Sequence, residues 1–283
     1  MSRTPSTDIP QRDVPPRDAL QQGVPAVKNR MDVAYAERYA ALWNQHWWWR
    51  ARRTFIEREI TRLSRKNKLD RILDIGCGDG LFFDFLERFG AVNGIESDAR
   101  IVTNPARSSQ IEVLDFDGTY ASDQRYDLIL MLDVLEHIEH DREALQKVFE
   151  LLKPGGMVVL TVPALMRLWS EHDVMNGHFR RYSRKPLVDL LMSEGFDVVK
   201  RRYLFFWAVL PMFARKLLYP AKANAGKSQY EVQVGNRVVS RIVEGLSVAE
   251  HSIGNYVPLP VGTSCFAIGQ KPFSSELRRS KPR

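Results

Sequence analysis

The sequence predicts an α/β fold, in which helices flank a doubly wound, mostly parallel sheet of seven strands. Short apolar runs alternate with helix-period segments from residue 71 onwards, which is typical of repeated β-α units. The first run ends in a glycine-rich turn, Gly76 to Gly80, as a strand entering a helix does. Hydrophobic residues make up 44% of the 283 residues, which is enough for a substantial core.

The elements form a single series along the chain. Order is expected to begin near residue 31, where one helical face carries Val33, Ala36, Tyr39, Ala40 and Trp43. A second helix is predicted over 47–64, a first strand over 71–75 and a helix from about Leu81. Further strands are predicted over 91–95, 111–114, 127–132, 157–162, 196–203 and 264–269. Further helices are predicted over 141–152, 185–193 and 236–249.

One α/β domain, residues 67–271, is therefore predicted, with additions before it, within it and after it. Residues 1–30 are rich in proline and in charges of both signs, which predicts a disordered tail. Residues 31–66 are predicted to form a helical lid. An insertion over 204–260 precedes the last strand, and residues 272–283 form a basic tail.

Charge and cysteine content limit the partners and the compartment. The net charge of +7 favours an anionic substrate or a membrane surface, but it is modest for a nucleic-acid-binding protein. Cys77 and Cys265 are predicted to lie in a turn and a late strand, so a reducing compartment is expected. The longest apolar run, 204–214, is shorter than the about 20 residues of a membrane span, and the N-terminus has no signal-peptide pattern. We expect a cytoplasmic protein, with peripheral membrane contact left open.

The glycine turn and an acidic residue downstream indicate a nucleoside-binding β-α-β unit. Glycines at positions 76, 78 and 80 can adopt positive φ and let a ligand lie against the backbone, beside the amides of a helix N-terminus. Glu96 follows Gly76 by twenty residues and ends the second apolar run, where an acid can bind ribose hydroxyls. The third glycine comes one residue earlier than in the dinucleotide fingerprint Gly-x-Gly-x-x-Gly.

Four motifs in order resemble the class I S-adenosylmethionine-dependent methyltransferases. They are DIGCGDG (Asp74 to Gly80), GIESD (Gly94 to Asp98), YDLILMLDVLEHI (Tyr126 to Ile138) and LLKPGGMVVLTVP (Leu151 to Pro163). The match runs from about residue 71 to 199. The resemblance implies that 67–271 is a methyltransferase domain and that the cofactor is S-adenosylmethionine, with S-adenosylhomocysteine as its product.

The resemblance assigns the methionine and ribose ends of the cofactor. Gly76, Gly78 and Gly80 let the methionine half pass close to the chain. Asp74 matches the family's acid that helps to fix that end, and Glu96 matches the residue that binds the ribose. Ordinary loop capping is the alternative role for these acids.

The adenine and sulfonium ends follow from the next two strands. Asp115 matches the acceptor for the exocyclic amine of adenine, with Phe116 packing nearby and Asp117 as the competing choice. Leu132 and Asp133 lie where the fourth strand opens onto the sulfonium.

An aromatic and basic segment, HWWWRARR over 46–53, is the first candidate for the acceptor side. Three successive tryptophans do not all face one core on a helix, so some are expected to face solvent, a partner or a substrate pocket. We predict Trp48, Trp49, Arg50 and Arg53 as substrate-binding residues. The alternative is packing against the sheet with a solvated basic face.

A polar loop, 168–183, is the second candidate, since acceptor-binding residues follow the fifth strand in this fold. Its polar side chains are His172, Asp173, His178, Arg180, Arg181 and Tyr182. The loop and the aromatic segment are similar to a bacterial type 11 or type 12 methyltransferase subgroup with an H-x-R-R-Y segment. Such a cluster on a loop is more often functional than structural.

A base is needed only where the acceptor must lose a proton, as a hydroxyl group does. His178 and His172 compete as that base, His137 is third, and Tyr182 is counted with them as a candidate catalytic residue. For His137, a backbone-satisfied position at a helix start is the alternative. Arg180 and Arg181 are expected to hold a carboxylate or phosphate of the acceptor, and Asp173 to orient a histidine.

Metal and nucleic-acid binding are disfavoured by the spacing of the polar residues. His172, Asp173 and His178 match no metal motif, so no metal is predicted. Enzymes that methylate base amines show Asn/Asp-Pro-Pro-aromatic after the fourth strand, where this chain has Asp133-Val-Leu-Glu136. The preferred acceptor is a small molecule or a lipid- or sugar-linked compound, methylated on oxygen or nitrogen.

The insertion over 204–260 has several expected roles. In a minimal methyltransferase the sixth and seventh strands are joined by a short hairpin, so the insertion is expected to pack on the core, form a dimer interface, cover the acceptor or contact a membrane. Both a monomer and a homodimer are left open.

The alternative functions are a nicotinamide-dependent oxidoreductase and a cofactor-binding protein without catalysis.

Overall fold

The structure is a computed structural model that describes residues 43–218 and 237–273. The predicted tail over 1–30, the helical face from Val33 to Ala40, and Lys222 and Lys227 of the insertion lie outside the described residues. The basic tail lies outside them too, except for its first two residues.

A seven-stranded sheet is formed by the described residues, in the order β3-β2-β1-β4-β5-β7-β6. Its strands are β1 (Arg71–Ile75), β2 (Ala91–Glu96), β3 (Ile111–Val113), β4 (Tyr126–Leu132), β5 (Leu152–Pro163), β6 (Asp197–Leu204) and β7 (Ser264–Gln270). The first five are parallel to one another, and β7 runs antiparallel between β5 and β6. The predicted fold class is therefore confirmed.

Five helices of the described residues lie close to their predicted positions, and two short ones were not predicted. The helices are α1 (Trp47–Ser64), α2 (Phe83–Leu86), α3 (Asp141–Leu151), α4 (Glu171–Met175), α5 (Arg184–Ser193), α6 (Val209–Leu218) and α7 (Arg237–Ile253). The two that were not predicted are α4 and α6. Strand β5 begins five residues before its predicted start, because the Lys-Pro-Gly-Gly segment is extended and Leu152 pairs with Tyr126. None of the helices within the described residues is long and apolar enough to cross a membrane.

Both faces of the sheet are covered. Alternate residues of β4 point to opposite faces, with Ile129 on one and Leu128 on the other, and both are wholly buried. Helices α3 and α5 cover the first face, and α1 and α2 cover the second. Burial on both faces explains why the central strands are continuous apolar runs and do not alternate with polar residues.

Helix α1 packs into the core of the second face. Phe55, Ile56 and Ile60 share one side of the helix and are at most 2% exposed, so each contributes about 1.5–3 kcal/mol by burial. Phe55 meets Phe266 of β7 edge to face, with ring centroids 4.8 Å apart. Its ring also contacts His251 of α7 at 4.6 Å, which joins the insertion to the core. The division of the chain into lid, domain and tails stays a prediction.

Candidate functional site

The glycine turn closes over the carboxyl ends of β1 and β2. Gly76, Gly78 and Gly80 all have positive φ, at 72°, 58° and 70°. The amide of Gly76 donates to the carbonyl of Ile95 at 2.7 Å, which holds the turn against β2. A Cβ at Gly76 would lie 2.4 Å from a methyl carbon of Val134. The backbone therefore requires glycine here.

Glu96 holds the turn from the end of β2. Its Oε2 accepts a hydrogen bond from the amide of Gly78 at 2.9 Å, and its Oε1 accepts one from the amide of Asp98 at 3.0 Å. Burial raises the pKa of Glu96, and these backbone hydrogen bonds oppose the rise. Binding of a ribose by Glu96 stays a prediction, but the carboxylate lies beside the glycine turn as that role requires.

A small pocket of about 20 Å³, partly open to solvent, lies beside the turn. It is lined by Trp43, Arg52, Asp74, Gly76, Cys77, Leu81, Phe82 and Leu132. Three predicted cofactor residues, Asp74, Gly76 and Leu132, therefore meet around one cavity. Trp43 and Arg52 come from the N-terminal segment, so this segment forms one wall of the pocket.

Arg52 is a pocket residue that the sequence analysis missed. It is 3% exposed, and its Nη2 lies 2.8 Å from Oδ2 of Asp133 and donates to Oγ1 of Thr161 at 2.9 Å. Helical spacing places Arg52 with Phe55 and Ile56 on the apolar side of α1. A charged residue on an apolar helix face needs a buried partner, and this was the signal in the sequence that could have identified Arg52.

The two neighbouring arginines predicted to bind substrate point elsewhere. Arg50 forms an ion pair with Glu244 of α7. Arg53 lies 3.8 Å from Glu57 and over the ring of Trp43. These contacts favour a structural role for both, and their predicted contact with substrate stays a prediction.

Asp74 is a buried carboxyl group in the wall of the pocket. Burial raises its pKa to about 7, the Arg52 charge opposes the rise, and the Glu96 charge adds to it. The group is 4% exposed. A buried carboxyl group that titrates near neutral pH is well suited to receive a cationic ligand.

The three tryptophans form an aromatic cluster with the insertion. Trp47 packs against Trp207 at 5.3 Å, Trp48 against Phe205 at 6.0 Å, and Trp49 against Trp43 at 5.8 Å. None of the three is exposed, because residues that follow β6 cover the outer side of α1. Trp47 and Trp48 are half-buried and Trp49 is buried, so the expectation that some face solvent, a partner or a substrate pocket stays a prediction. The guanidinium carbon of Arg52 lies 5.2 Å from the ring centre of Trp48 and 5.3 Å from that of Trp49. Binding of substrate by these two tryptophans stays a prediction.

The end of β3 offers two acids for the adenine. Asp117 accepts hydrogen bonds from the amide and hydroxyl of Thr119, at 2.7 and 2.6 Å. Asp115 is exposed, and Phe116 is buried with its ring 5.5 Å from that of Tyr120. Because Asp117 is engaged within its own turn, this geometry favours Asp115, as predicted.

Asp133 turns the chain at the end of β4. Its φ of 59° lies in the left-handed region, and its amide donates to the carbonyl of Thr161 at 2.9 Å. Aspartate tolerates this conformation better than most residues. Its carboxylate faces Arg52, while Leu132 lines the pocket.

Asp173 organises the polar loop. It is wholly buried and accepts hydrogen bonds from Nε and Nη2 of Arg181, at 2.7 and 2.9 Å, and from the Ser170 amide at 2.9 Å. Nδ1 of His178 lies 2.9 Å from Oδ1 of Asp173, the oxygen that also accepts the hydrogen bond from Nε of Arg181. Burial would raise the pKa of Asp173, but His178 and Arg181 hold it well below its usual range. The predicted orienting of a histidine by Asp173 is thus seen in the geometry.

Three other predicted residues of the loop are engaged with protein groups. Arg181 also donates to the carbonyl of Ala164 at 3.2 Å, which favours a structural role over the predicted contact with an acceptor anion. Arg180 lies 2.7 Å from Oδ2 of Asp141. The Tyr182 hydroxyl donates to the same oxygen at 2.8 Å, and burial and Asp141 raise its pKa well above the usual value. Tyr182 therefore keeps its proton, which favours a structural role.

His137 and His178 meet at the end of β4. Their rings are 4.6 Å apart and perpendicular. Burial lowers the pKa of His137 to about 3. His172 is 6.1 Å from His178 and contacts the Asn176 side chain at 3.0 Å; burial lowers its pKa to about 4. The structure therefore pairs the first and third candidate bases.

Glu136, which the sequence analysis did not select, lies beside this pair and is 1% exposed. Burial and the Asp133 charge raise its pKa well above the usual value. The available signal was an acid in the short turn Leu135–His137, directly after the strand whose end was predicted to face the cofactor.

The chain is similar in sequence to known methyltransferases. A family model described as a methyltransferase domain matches residues 48–201, more than half of the chain. A ubiquinone biosynthesis O-methyltransferase of Cereibacter sphaeroides is 36% identical over 158 residues, covering 48% of this chain and 64% of that protein. The protein of the same description from Rickettsia conorii is 27% identical over 113 residues, covering 38% and 39%. The chain thus matches less than two thirds of the length of either relative.

Solved structures show the same architecture. The plantazolicin methyltransferase BpumL, in complex with a triazolic desmethylPZN analogue and SAH, aligns with a TM-score of 0.55 at 15% identity, covering 85% of this chain and 92% of that chain. A putative methyltransferase in complex with the Haloferax volcanii Trm112 activator aligns with a TM-score of 0.53 at 16% identity, covering 86% and 96%. At this identity the similarity concerns the fold alone, and the H-x-R-R-Y subgroup stays a prediction. The chain belongs to the methyltransferase-domain family, which confirms its resemblance to the class I S-adenosylmethionine-dependent methyltransferases.

Proposed function

We propose that the protein is an S-adenosylmethionine-dependent methyltransferase that methylates an oxygen, or a nitrogen, of a small-molecule or lipid- or sugar-linked acceptor. The observation that carries the proposal is the pocket between the glycine turn and Arg52, into which the buried Asp74 faces. Gly76 has positive φ and no side chain, so it lines the pocket with its backbone alone. These residues fit the cofactor, which supplies a methyl group already activated on a cationic sulfur.

The residues around the pocket have distinct tasks in this proposal. Glu96 receives the ribose hydroxyls, and Asp115 with Phe116 holds the adenine. Asp74 complements the positive charge of the methionine half. Methyl transfer is an in-line displacement, so holding the two reacting groups in line supplies most of the acceleration.

The acceptor is proposed to lie against the cluster of Glu136, His137 and His178. This cluster follows β4, whose last residue, Leu132, lines the cofactor pocket. An acceptor hydroxyl would lose its proton there, because His178 is held by Asp173 with its second ring nitrogen directed away from that contact. The similarity to a ubiquinone biosynthesis O-methyltransferase supports an oxygen acceptor.

A lipid-linked acceptor, with peripheral membrane contact, is supported by the insertion. Leu210, Leu217 and Leu218 of α6 are 79%, 80% and 73% exposed, and Arg215 lies on the same helix. Exposed apolar side chains next to a basic residue suit the surface of an anionic membrane. The full chain should float with vesicles of phosphatidylcholine and phosphatidylglycerol, and a Leu217→Ser variant should float less. If neither is recovered with vesicles, a soluble acceptor is favoured.

Calorimetry tests the cofactor. S-Adenosylhomocysteine should bind with one site per chain, and NAD should give no heat of binding. Binding of NAD without S-adenosylhomocysteine would overturn the proposal in favour of the oxidoreductase.

Methyl transfer is tested with a donor labelled in the methyl group and extract of the source organism. Label in an extracted small molecule or lipid supports the proposal and identifies the acceptor. Cofactor binding without transfer to any acceptor would favour the non-catalytic alternative.

A further inference from the structure

Three potential metal ligands meet at the end of β4. The turn Leu135–His137 carries Glu136 and His137, and the loop after α4 brings His178 to them. One carboxylate oxygen and one nitrogen of each histidine all lie within 4.8 Å of one another. Ligands of a single zinc-sized ion lie roughly 3–4 Å apart, so small side-chain movements would close the set.

Glu136 has no partner for one of its oxygens. Its side chain is 1% exposed, and within the described residues Oε2 has no hydrogen bond. A buried carboxylate without a partner is costly, and the two histidine rings are its neighbours in the cluster. A cation bound between the three side chains would remove that cost.

Both histidines are oriented from outside the cluster. Nδ1 of His178 contacts Asp173, which Arg181 fixes, so Nε2 is the nitrogen left for a ligand. The ring of His137 forms a hydrogen bond with the backbone of Asn176. Support of one ring nitrogen by a carboxylate or a backbone carbonyl is what metal-binding histidines show.

We propose that Glu136, His137 and His178 bind a divalent transition-metal ion. Two imidazole nitrogens and one carboxylate oxygen form the ligand set of many open zinc and non-haem iron sites, and they leave positions for further ligands. Nitrogen ligands disfavour Mg²⁺ and Ca²⁺, which bind through oxygen.

The sequence analysis weighed a different set, His172, Asp173 and His178, and predicted no metal. In the structure Asp173 is engaged by Arg181 and His172 by Asn176, so that set does not form. The set proposed here joins two neighbours after β4 to a histidine about forty positions later, which spacing alone does not reveal.

The ion would also explain how an acceptor is activated. An acceptor hydroxyl bound to the ion would lose its proton to solvent water more readily than a free one. With Nε2 of His178 bound to the metal, the ion would take the place of His178 as the group that activates the acceptor. This second step rests on the proposed function, whereas metal binding itself does not. The two are therefore measured separately.

Metal binding is tested on the full chain after removal of metals with a chelator, without donor or acceptor. Titration with Co²⁺ should give visible absorption bands at one ion per chain, and Zn²⁺ should displace the Co²⁺. The variants Glu136→Gln and His178→Ala should lose affinity by about tenfold or more. The control His172→Ala removes a nearby histidine outside the set and should bind like the wild type. Circular dichroism checks that each variant is folded.

The outcomes separate the two steps. Absence of stoichiometric binding to the wild type, or equal affinity in folded Glu136→Gln and His178→Ala, would overturn the metal site. If the ion binds but chelator-treated enzyme methylates at the full rate, the ion's role in activation is overturned and the proposed function stands. If the ion binds and no acceptor is methylated, only the proposed function fails.

Discussion

Arg52 and Asp133 form an ion pair, with Nη2 and Oδ2 2.8 Å apart, that joins α1 to the carboxyl end of β4. Arg52 is nearly fully buried, and the side chain of Asp133 is 22% exposed. The same guanidinium reaches Thr161 of β5 and lines the pocket that also contains Asp74. One side chain therefore connects the N-terminal helix, two central strands and the proposed cofactor site.

Arg52→Met should lower the free energy of unfolding by about 3 kcal/mol, because it leaves Asp133 without its partner and empties a buried position. Arg53→Met is the matched control. Its side chain is 29% exposed, lies 3.8 Å from Glu57 and packs over the ring of Trp43, so the replacement should change stability by less than about 1 kcal/mol. Urea denaturation followed by tryptophan fluorescence measures both. Equal midpoints for the two variants would contradict the structural role of Arg52.

Glu96→Ala should weaken binding of S-adenosylhomocysteine by about 1–3 kcal/mol, since charge-assisted hydrogen bonds to the ribose are lost. Because Glu96 also holds the glycine turn through Gly78, the thermal midpoint is measured alongside the dissociation constant. The matched control is Asp123→Ala, an exposed acid in the loop before β4, which should leave cofactor affinity unchanged. An affinity for Glu96→Ala equal to that of the wild type would refute the ribose assignment.

Binding of S-adenosylmethionine should depend on the protonation of Asp74, whose pKa burial raises to about 7. Above pH 7 the carboxylate is ionised and favours the cationic ligand. Below pH 7 it is protonated in the free protein, so binding should weaken and release up to one proton. Calorimetry at pH 6 and pH 8, in two buffers of different ionisation enthalpy, measures the release. Asp74→Asn should remove this proton release, and a wild type whose proton release is the same at pH 6 and pH 8 would disprove the assignment.

His178→Ala should reduce turnover by a factor of about 10² or more while leaving cofactor affinity near that of the wild type, because the residue lies on the acceptor side. His140→Ala is the control: this histidine is exposed at the start of α3, and its removal should not alter turnover. Steady-state rates with the identified acceptor are compared with calorimetric affinities. Full activity of His178→Ala would remove it from the catalytic residues.

Much of the cofactor side was predictable because its signals are local. The glycine turn and Glu96 belong to one β-α-β unit, so a spacing of twenty residues already brings them together. The strands were found for the same reason, since runs such as β4 are apolar throughout when both faces are covered. The length of β5 was missed because pairing with Tyr126, and not local preference, extends the Lys-Pro-Gly-Gly segment.

By itself, the sequence determined the fold class, the methyl-donor motifs and the approach of Glu96 to the glycine turn, because each depends on spacing within a few tens of residues. Only the tertiary structure decided that Arg52 is the buried arginine of α1, that Arg181 is engaged by Asp173, and that Glu136 lies beside His137 and His178. The physical reason is that parallel strands end at one edge of a sheet. Residues far apart in the chain therefore meet there, and which of them are paired or left with an unpaired atom depends on that packing.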